Sequence, residues 1–264
     1  MLVIAERLNA ARRPVAQALA ERDADFLLAE ARRQAEAGAD FLDLNTALAP
    51  ETEKDSMAWA VDLVREAVAV PLCIDSASPE VARTGLERLP RGSALLNSAS
   101  AKTGRLDPMV ELAVEFQARL VVLAMDDRGM PASCDDRWRA LETAFARTDA
   151  AGLPREHLLV DPLLRPVATH PDQVAECLRM IREVAERGGG AGTTVGLSNV
   201  SFGLPRRRHL NRAFLAMAAA AGLTSAIFDP LEPGLMAAVR AADCLTGRDP
   251  FCMNYISAHR EGRL

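Results

Sequence analysis

Short apolar runs alternate with amphipathic stretches from one end of the chain to the other. Eight of the runs have the length and make-up of buried strands. They are LVIAERL from Leu2, FLDLN from Phe41, PLCID from Pro71, ALLN from Ala94, RLVVLAM from Arg119, HLLVD from His157, TTVGLSN from Thr193 and SAIFD from Ser225. Each is compact and bounded by turn residues, as parallel strands covered on both faces are. The clearest helical stretch is Asp25 to Ala37, where Phe26, Ala29, Ala31 and Ala35 interrupt charged positions and Gly38 stands ready to end it. Further helices are expected after Thr52, Pro79, Asp107, Cys134, Pro171, Arg208 and Gly234.

Eight strand–helix units in 264 residues, with no long structureless linker, match a single-domain TIM (β/α)8 barrel over residues 1–264. Residues 248–264 are expected to form a C-terminal tail packed over the last helices. A doubly wound open sheet is the alternative, but it would usually carry a Gly-rich turn after its first strand, and AERLNA has none. The run GGGAG at Gly188–Gly192 precedes the seventh strand, whereas phosphate loops follow a strand and open a helix, so it reads as a connector.

Composition narrows the function. Hydrophobic residues make up 49%, enough for a large core, and the formal net charge of −5 argues against a surface built to hold nucleic acid. No run approaches the roughly 20 apolar residues needed to cross a bilayer. The start, MLVIAERLNA, turns charged too soon for a secretory signal, so a cytoplasmic location is expected. Five scattered cysteines without a CxxC pair suggest neither a disulfide framework nor a cysteine zinc site.

Barrel chemistry sits where strands finish and loops begin. Every expected strand delivers a carboxylate, carboxamide or hydroxyl there: Glu6 and Asn9, Asp43 and Asn45, Asp75 and Ser76, Asn97 and Ser98, Asp126 and Asp127, Asp161, Ser198 and Asn199, and Asp229. Asp, Asn and Ser are also turn formers and helix N-caps, so about half of this set is assigned to structure, Asp43, Asp127 and Asp229 among them. Absences matter too. No strand contains the Lys of a Schiff-base mechanism, and His157, His170, His209 and His259 all miss the strand ends where metallohydrolase ligands converge, so no metal site is expected. What remains suits a flat polar heterocycle. A pterin offers a ring N–H beside an exocyclic amine, two parallel donors that one carboxylate accepts side by side, each such bond contributing about 1.5–3 kcal/mol.

Seven segments in order resemble the methyltetrahydrofolate:corrinoid/iron–sulfur protein methyltransferases. They are IAERLNA from Ile4, GADFLDLN from Gly38, LCIDSASPE from Leu72, LLNSASA from Leu95, AMDDRGMP from Ala124, VDPLLRPV from Val160 and GLSNVSFGLPRRRHLNRAFLAMAAAAGL from Gly196. The resemblance implies a pterin-binding barrel, usually a homodimer, with methyltetrahydrofolate or tetrahydrofolate as one substrate and a corrinoid supplied by a partner protein. Carried over by position, Asp75 and Asp161 accept from the pyrimidine edge and Asn97 bonds another edge. Gly196 and Ser198 line the ring face, and Arg207 reaches toward the benzoate–glutamate tail. Asn199 stands next to N5, which bears the methyl group. An amide is no Brønsted acid at neutral pH, so Asn199 is assigned the role of a donor that strengthens as charge develops on N5.

The chain departs from the family pattern at Ala5, at Ala47–Leu48, and at Ala77–Ser78 and Ala99–Ser100. Asp126 replaces an amide found in relatives and is expected to alter a ring contact. Two other readings remain open at this point. One is a dihydropteroate synthase-like pterin enzyme, although neither its diphosphate loop nor its Asn-rich first strand is evident. The other is a non-catalytic folate- or corrinoid-binding subunit, which Asn199 disfavours.

Overall fold

The computed structural model describes residues 1–264. Strands β1 (Leu2–Asn9), β2 (Phe41–Asn45), β3 (Leu72–Asp75), β4 (Leu95–Ser100), β5 (Arg119–Leu123), β6 (Leu158–Asp161), β7 (Gly192–Thr193) and β8 (Ser225–Phe228) are all parallel. Their order, β7-β6-β5-β4-β3-β2-β1-β8, curls the sheet round until its ends meet. The meeting of β7 and β8 is thin. One bridge joins Gly196 to Ile227, the Ile227 amide donates to the Val195 carbonyl at 2.8 Å, and below it the Thr193 amide donates to the Thr224 hydroxyl at 2.7 Å. The result is a TIM (β/α)8 barrel with one seam carried partly by side chains.

Ten α-helices surround the sheet. The first two, α1 (Arg13–Glu21) and α2 (Ala24–Glu36), follow β1, and then come α3 (Pro50–Ala67), α4 (Pro79–Leu86), α5 (Leu106–Phe116) and α6 (Cys134–Ala150). The second half contributes α7 (Gln173–Arg187), α8 (Arg207–Ala220), α9 (Leu235–Leu245) and α10 (Met253–Arg260). Helix starts follow local chemistry. Asp23 caps α2 by accepting from the Phe26 amide at 3.0 Å, Ser133 and Asp136 form a capping box on α6, and prolines open α1, α3 and α4. Helices α1 and α10 are additions to the expected set, and α10 lies in the tail, which packs on α9 as expected. The seventh strand is far shorter than TTVGLSN suggests: after Thr193 the chain leaves the ladder, and Leu197–Ser201 wind into a 3-10 turn.

Strand alternation divides the side chains. Leu42 and Leu44 of β2, Leu72 and Ile74 of β3, Leu96 of β4 and Leu120 and Val122 of β5 join the large cluster between sheet and helices. The alternate positions point into the barrel. Ile4, Phe41, Cys73, Leu95, Val121 and Leu159, one from each of β1 to β6, form a separate buried cluster with Leu123 and Ile227 packed against it. This plug is the floor on which the polar residues stand.

Candidate active site

Two residues along a strand return a side chain to the same face. Stepping two positions up from the floor therefore names the next layer: Glu6 above Ile4, Asp43 above Phe41, Asp75 above Cys73, Asn97 above Leu95, Leu123 above Val121 and Asp161 above Leu159. Five of these six are polar. Strand register brings them side by side, since Asn45 pairs with Asp75, Asp75 with Asn97, and Leu123 with Asp161 across neighbouring strands. Asn45 Nδ2 donates to Asp75 Oδ2 at 3.0 Å, and Asn97 Nδ2 donates to Asp43 Oδ1 at 3.2 Å.

The layer's electrostatics follow from crowding acids over an apolar plug. Burial and mutual repulsion hold Asp43 well above the usual carboxylate range. Burial does the same to Asp75, opposed by the Asn45 bond. Asp161 is pushed up to about 6 by burial, against the Leu163 amide that donates to it at 2.7 Å and the positive charge of Arg137. Glu6 is pushed up to about 7, chiefly by burial, with Ser198 opposing and the nearby Asp229 reinforcing the shift. Acids raised in this way gain most from a ligand that presents N–H donors to them. No three His, Cys, Asp or Glu side chains anywhere in the chain are grouped to hold a metal ion.

Above the layer, the loops add the remaining groups. Fully buried Arg137 of α6 donates to the Pro162 carbonyl at 2.6 Å and to Gln173 Oε1 at 2.7 Å, fixing the loop that follows Asp161. On the other side, the 3-10 turn after β7 carries Ser198 and Asn199. Ser198 Oγ donates to Glu6 Oε1 at 3.3 Å. Arg207, at the start of α8, grips the turn, with Nη2 on the Ser198 carbonyl at 2.6 Å and Nε on Ser201 Oγ at 3.0 Å. The Asn199 carboxamide is exposed and makes no hydrogen bond within the chain. Gly196 lets it lie close, because a Cβ there would stand 2.9 Å from Asn199 Nδ2.

Pterin-binding enzyme is the family whose model matches residues 5–229, a span that contains every group just described. The chain belongs to that family. Within it, the chain is 32% identical over its whole length, and over 98% of the relative, to a methylcorrinoid:tetrahydrofolate methyltransferase of Eubacterium limosum. It is 30% identical to methionine synthase of Mycobacterium tuberculosis over 86% of its own length and 20% of that larger protein. Dihydropteroate synthase of Xanthomonas albilineans in complex with 7,8-dihydropteroate superposes with a TM-score of 0.70 at 21% identity, covering 94% of each chain, and so shares the fold.

In this pterin-binding barrel the residues singled out from the sequence divide into three groups. Asp75, Asn97 and Asp161 lie in the polar layer on β3, β4 and β6. Gly196, Ser198, Asn199 and Arg207 form the turn across the mouth from them. Asp126 stands apart: the Arg128 guanidinium and backbone amide occupy it, which holds its carboxyl below the usual range. Asp127 and Asp229 bind structural partners, Thr103 for the first and Arg7 and the Leu231 amide for the second. Asp43 corrects its assignment as a turn or cap residue. It lies mid-strand, is 2% exposed, and belongs to the acid layer, because FLDLN turns Phe41, Asp43 and Asn45 to one face. Glu6 and Asn45 were visible at strand ends, but only the shared face marks them as part of the same array.

Proposed function

We propose that this chain transfers the N5-methyl group between methyltetrahydrofolate and the cobalt of a corrinoid carried by a separate protein. The observation that carries the reading is the full-length similarity to a methylcorrinoid:tetrahydrofolate methyltransferase, joined to a raised-acid layer shaped to accept from a pterin edge.

In this reading Asp75 and Asp161 take the ring's N–H and amine donors, Asn97 bonds a further edge, and Asp43 and Asn45 keep Asn97 and Asp75 oriented. Gly196 and Ser198 border the ring. Asn199 donates to N5 as positive charge grows there, which weakens the N–CH3 bond. The corrinoid, when its protein docks, supplies the Co(I) nucleophile. Arg207 holds the turn that presents Asn199 and faces the benzoate–glutamate tail. Glu6, raised to about 7 chiefly by burial and bonded to the neighbour of Asn199, is placed to exchange a proton with the mouth. Asp126 serves loop geometry rather than ring contact. A homodimer in the cytoplasm completes the reading, and the homodimer is checked by the protein's mass in solution. No helix is long and apolar enough to cross a membrane.

The test is transfer of labelled methyl from methyltetrahydrofolate to a reduced corrinoid protein, with free cob(I)alamin as a second acceptor. Label appearing on cobalt supports the reading. Folate binding without transfer to either acceptor would reduce the chain to a binding subunit. Condensation of a pterin diphosphate with p-aminobenzoate would assign it to dihydropteroate synthesis instead.

A further inference from the structure

At the end of the barrel away from the mouth, two half-buried cysteines face each other. Cys244 lies in the last turn of α9 and Cys252 just before α10, and their sulfurs stand 2.6 Å apart as free thiols. A disulfide bond is ~2.05 Å long, so the two thiols lie within bonding reach of each other. The backbone between them is built to hold this approach. Gly247 takes a φ of +75° to end α9, and the Arg248 and Asp249 amides both donate to the Asp243 carbonyl, at 2.9 and 3.2 Å. Buried Asp249 then accepts from the Asn254 and Tyr255 amides at 3.0 and 2.9 Å, starting α10. Between these anchors Phe251 and Cys252 adopt φ values of +55° and +57°, a left-handed pair that non-glycine residues enter only at a cost in free energy. That pair is what turns the Cys252 side chain back toward α9.

We propose that Cys244 and Cys252 are a thiol-oxidation site, which closes to an intramolecular disulfide in the presence of a small-molecule disulfide and so staples the C-terminal tail to α9. One cysteine, as its thiolate, attacks the small disulfide, forms a mixed disulfide and expels one thiolate. The second cysteine then gives up its proton and attacks the protein-side sulfur, expelling the other half. Two protein thiols become one disulfide, the small disulfide becomes two thiols, and the two protons leave with them. The neighbouring sulfur pushes the Cys244 thiol up to about 11, which disfavours its thiolate while the two thiols lie together. Cys73, Cys134 and Cys177 are fully buried and take no part. The pair is remote from the acid layer, so the proposal is independent of the catalytic reading.

The test incubates the full chain with excess oxidised glutathione, alkylates the remaining thiols under denaturing conditions, and digests with trypsin without reduction. The expected product is Ala241–Arg248 joined to Asp249–Arg260, lighter than the two thiol peptides by two hydrogens, and separated again by dithiothreitol. Cys252→Ser should leave Cys244 as a lasting mixed disulfide with glutathione. Three results overturn the proposal: alkylation of Cys244 and Cys252 as complete as in untreated protein, wild-type chain that stops at the mixed disulfide, or a link that joins two chains instead of one.

Discussion

The wall of the barrel from β2 to β4 and the seam between β7 and β8 are held in opposite ways. Along the wall the ladder is continuous through Asp75, and the polar layer is already bonded to itself, Asn45 to Asp75 and Asn97 to Asp43. At the seam the ladder lasts two residues, the hydroxyls of Thr193, Thr224 and Ser225 and a single bridge do the joining, and the turn above leaves the Asn199 carboxamide uncommitted. The contrast separates two jobs. A wall that recognises a ring must have its acceptors fixed before the ring arrives, since ordering them afterwards would cost affinity. A group that answers charge developing on one nitrogen has to keep its donor free for it.

The largest expected effect lies at the seam. Asn199→Ala should slow methyl transfer roughly 10²- to 10³-fold, the scale of losing one preorganised donor, while folate affinity and melting temperature stay near those of the parent. Single-turnover kinetics beside calorimetry checks both halves. Near-normal turnover would remove Asn199 from the chemistry.

Next comes the wall. Asp161→Asn keeps the shape but loses the charge, and about 1.5–3 kcal/mol of charge-assisted bonding corresponds to roughly a 10- to 100-fold weaker Kd for folate. Asp75→Asn should behave alike. The comparison predicts that wall substitutions are felt in affinity and the seam substitution in turnover. Equal changes in both quantities at both places would erase the distinction.

The pH dependence gives a gentler test. Asp161 and Glu6 titrate near 6 and 7 in the folded chain, above their unfolded values, and Asp43 and Asp75 are raised as well. The native state therefore holds more protons than the unfolded state between about pH 4 and 7, and ligand-free stability falls as pH rises through that window. Carboxylates held low by arginines, such as Glu30 beside Arg7 and Asp149 beside Arg155, act only at lower pH, where their contribution is lost. Folate cancels the trend. It needs ionised acceptors, so its affinity should climb as pH passes 6, with protons released on binding. Thermal melts at pH 5.5 and 7.5 should show a melting temperature that falls with pH without folate and one nearly independent of pH with saturating folate. A ligand-free melting temperature that rises across this interval would argue that the layer is not raised.

Much of this arrangement is legible in the sequence, and the gaps have physical causes. Eight short apolar runs specify the barrel because parallel strands buried on both faces must be apolar throughout. That same apolarity hides which residues face inward. In FLDLN, Leu42 and Leu44 are as buried as Phe41, so Asp43 looks like a strand-end residue until the alternate face is followed from floor to mouth. The short β7 escapes notice because Thr193 and Thr194 are good strand formers, whereas on the β8 side the Thr224 hydroxyl, a tertiary partner, takes the place of ladder bonds to Thr193. Cys244 and Cys252 are missed likewise, since eight residues of separation signal nothing until Phe251 and Cys252 reverse the chain.

The smallest expected effect decides how the seam is supported. The sequence expects Arg207 to reach the folate tail, and in the structure Nε and one Nη of its guanidinium are held by the Ser201 hydroxyl and the Ser198 carbonyl. Lysine cannot supply that fork. If the bracing matters most, Arg207→Lys should loosen the Asn199 turn and cost about 2- to 10-fold in turnover, the worth of one modest hydrogen bond. The same factor should then appear with methyltetrahydrofolate and with a methyltetrahydropterin lacking the benzoyl-glutamate. A tail contact would act differently, raising KM for the full folate alone and leaving the truncated substrate untouched. Measured on both substrates, the variant separates a residue that steadies the donor from one that holds the substrate, and a loss confined to the full folate would place Arg207 on the recognition side of the mouth.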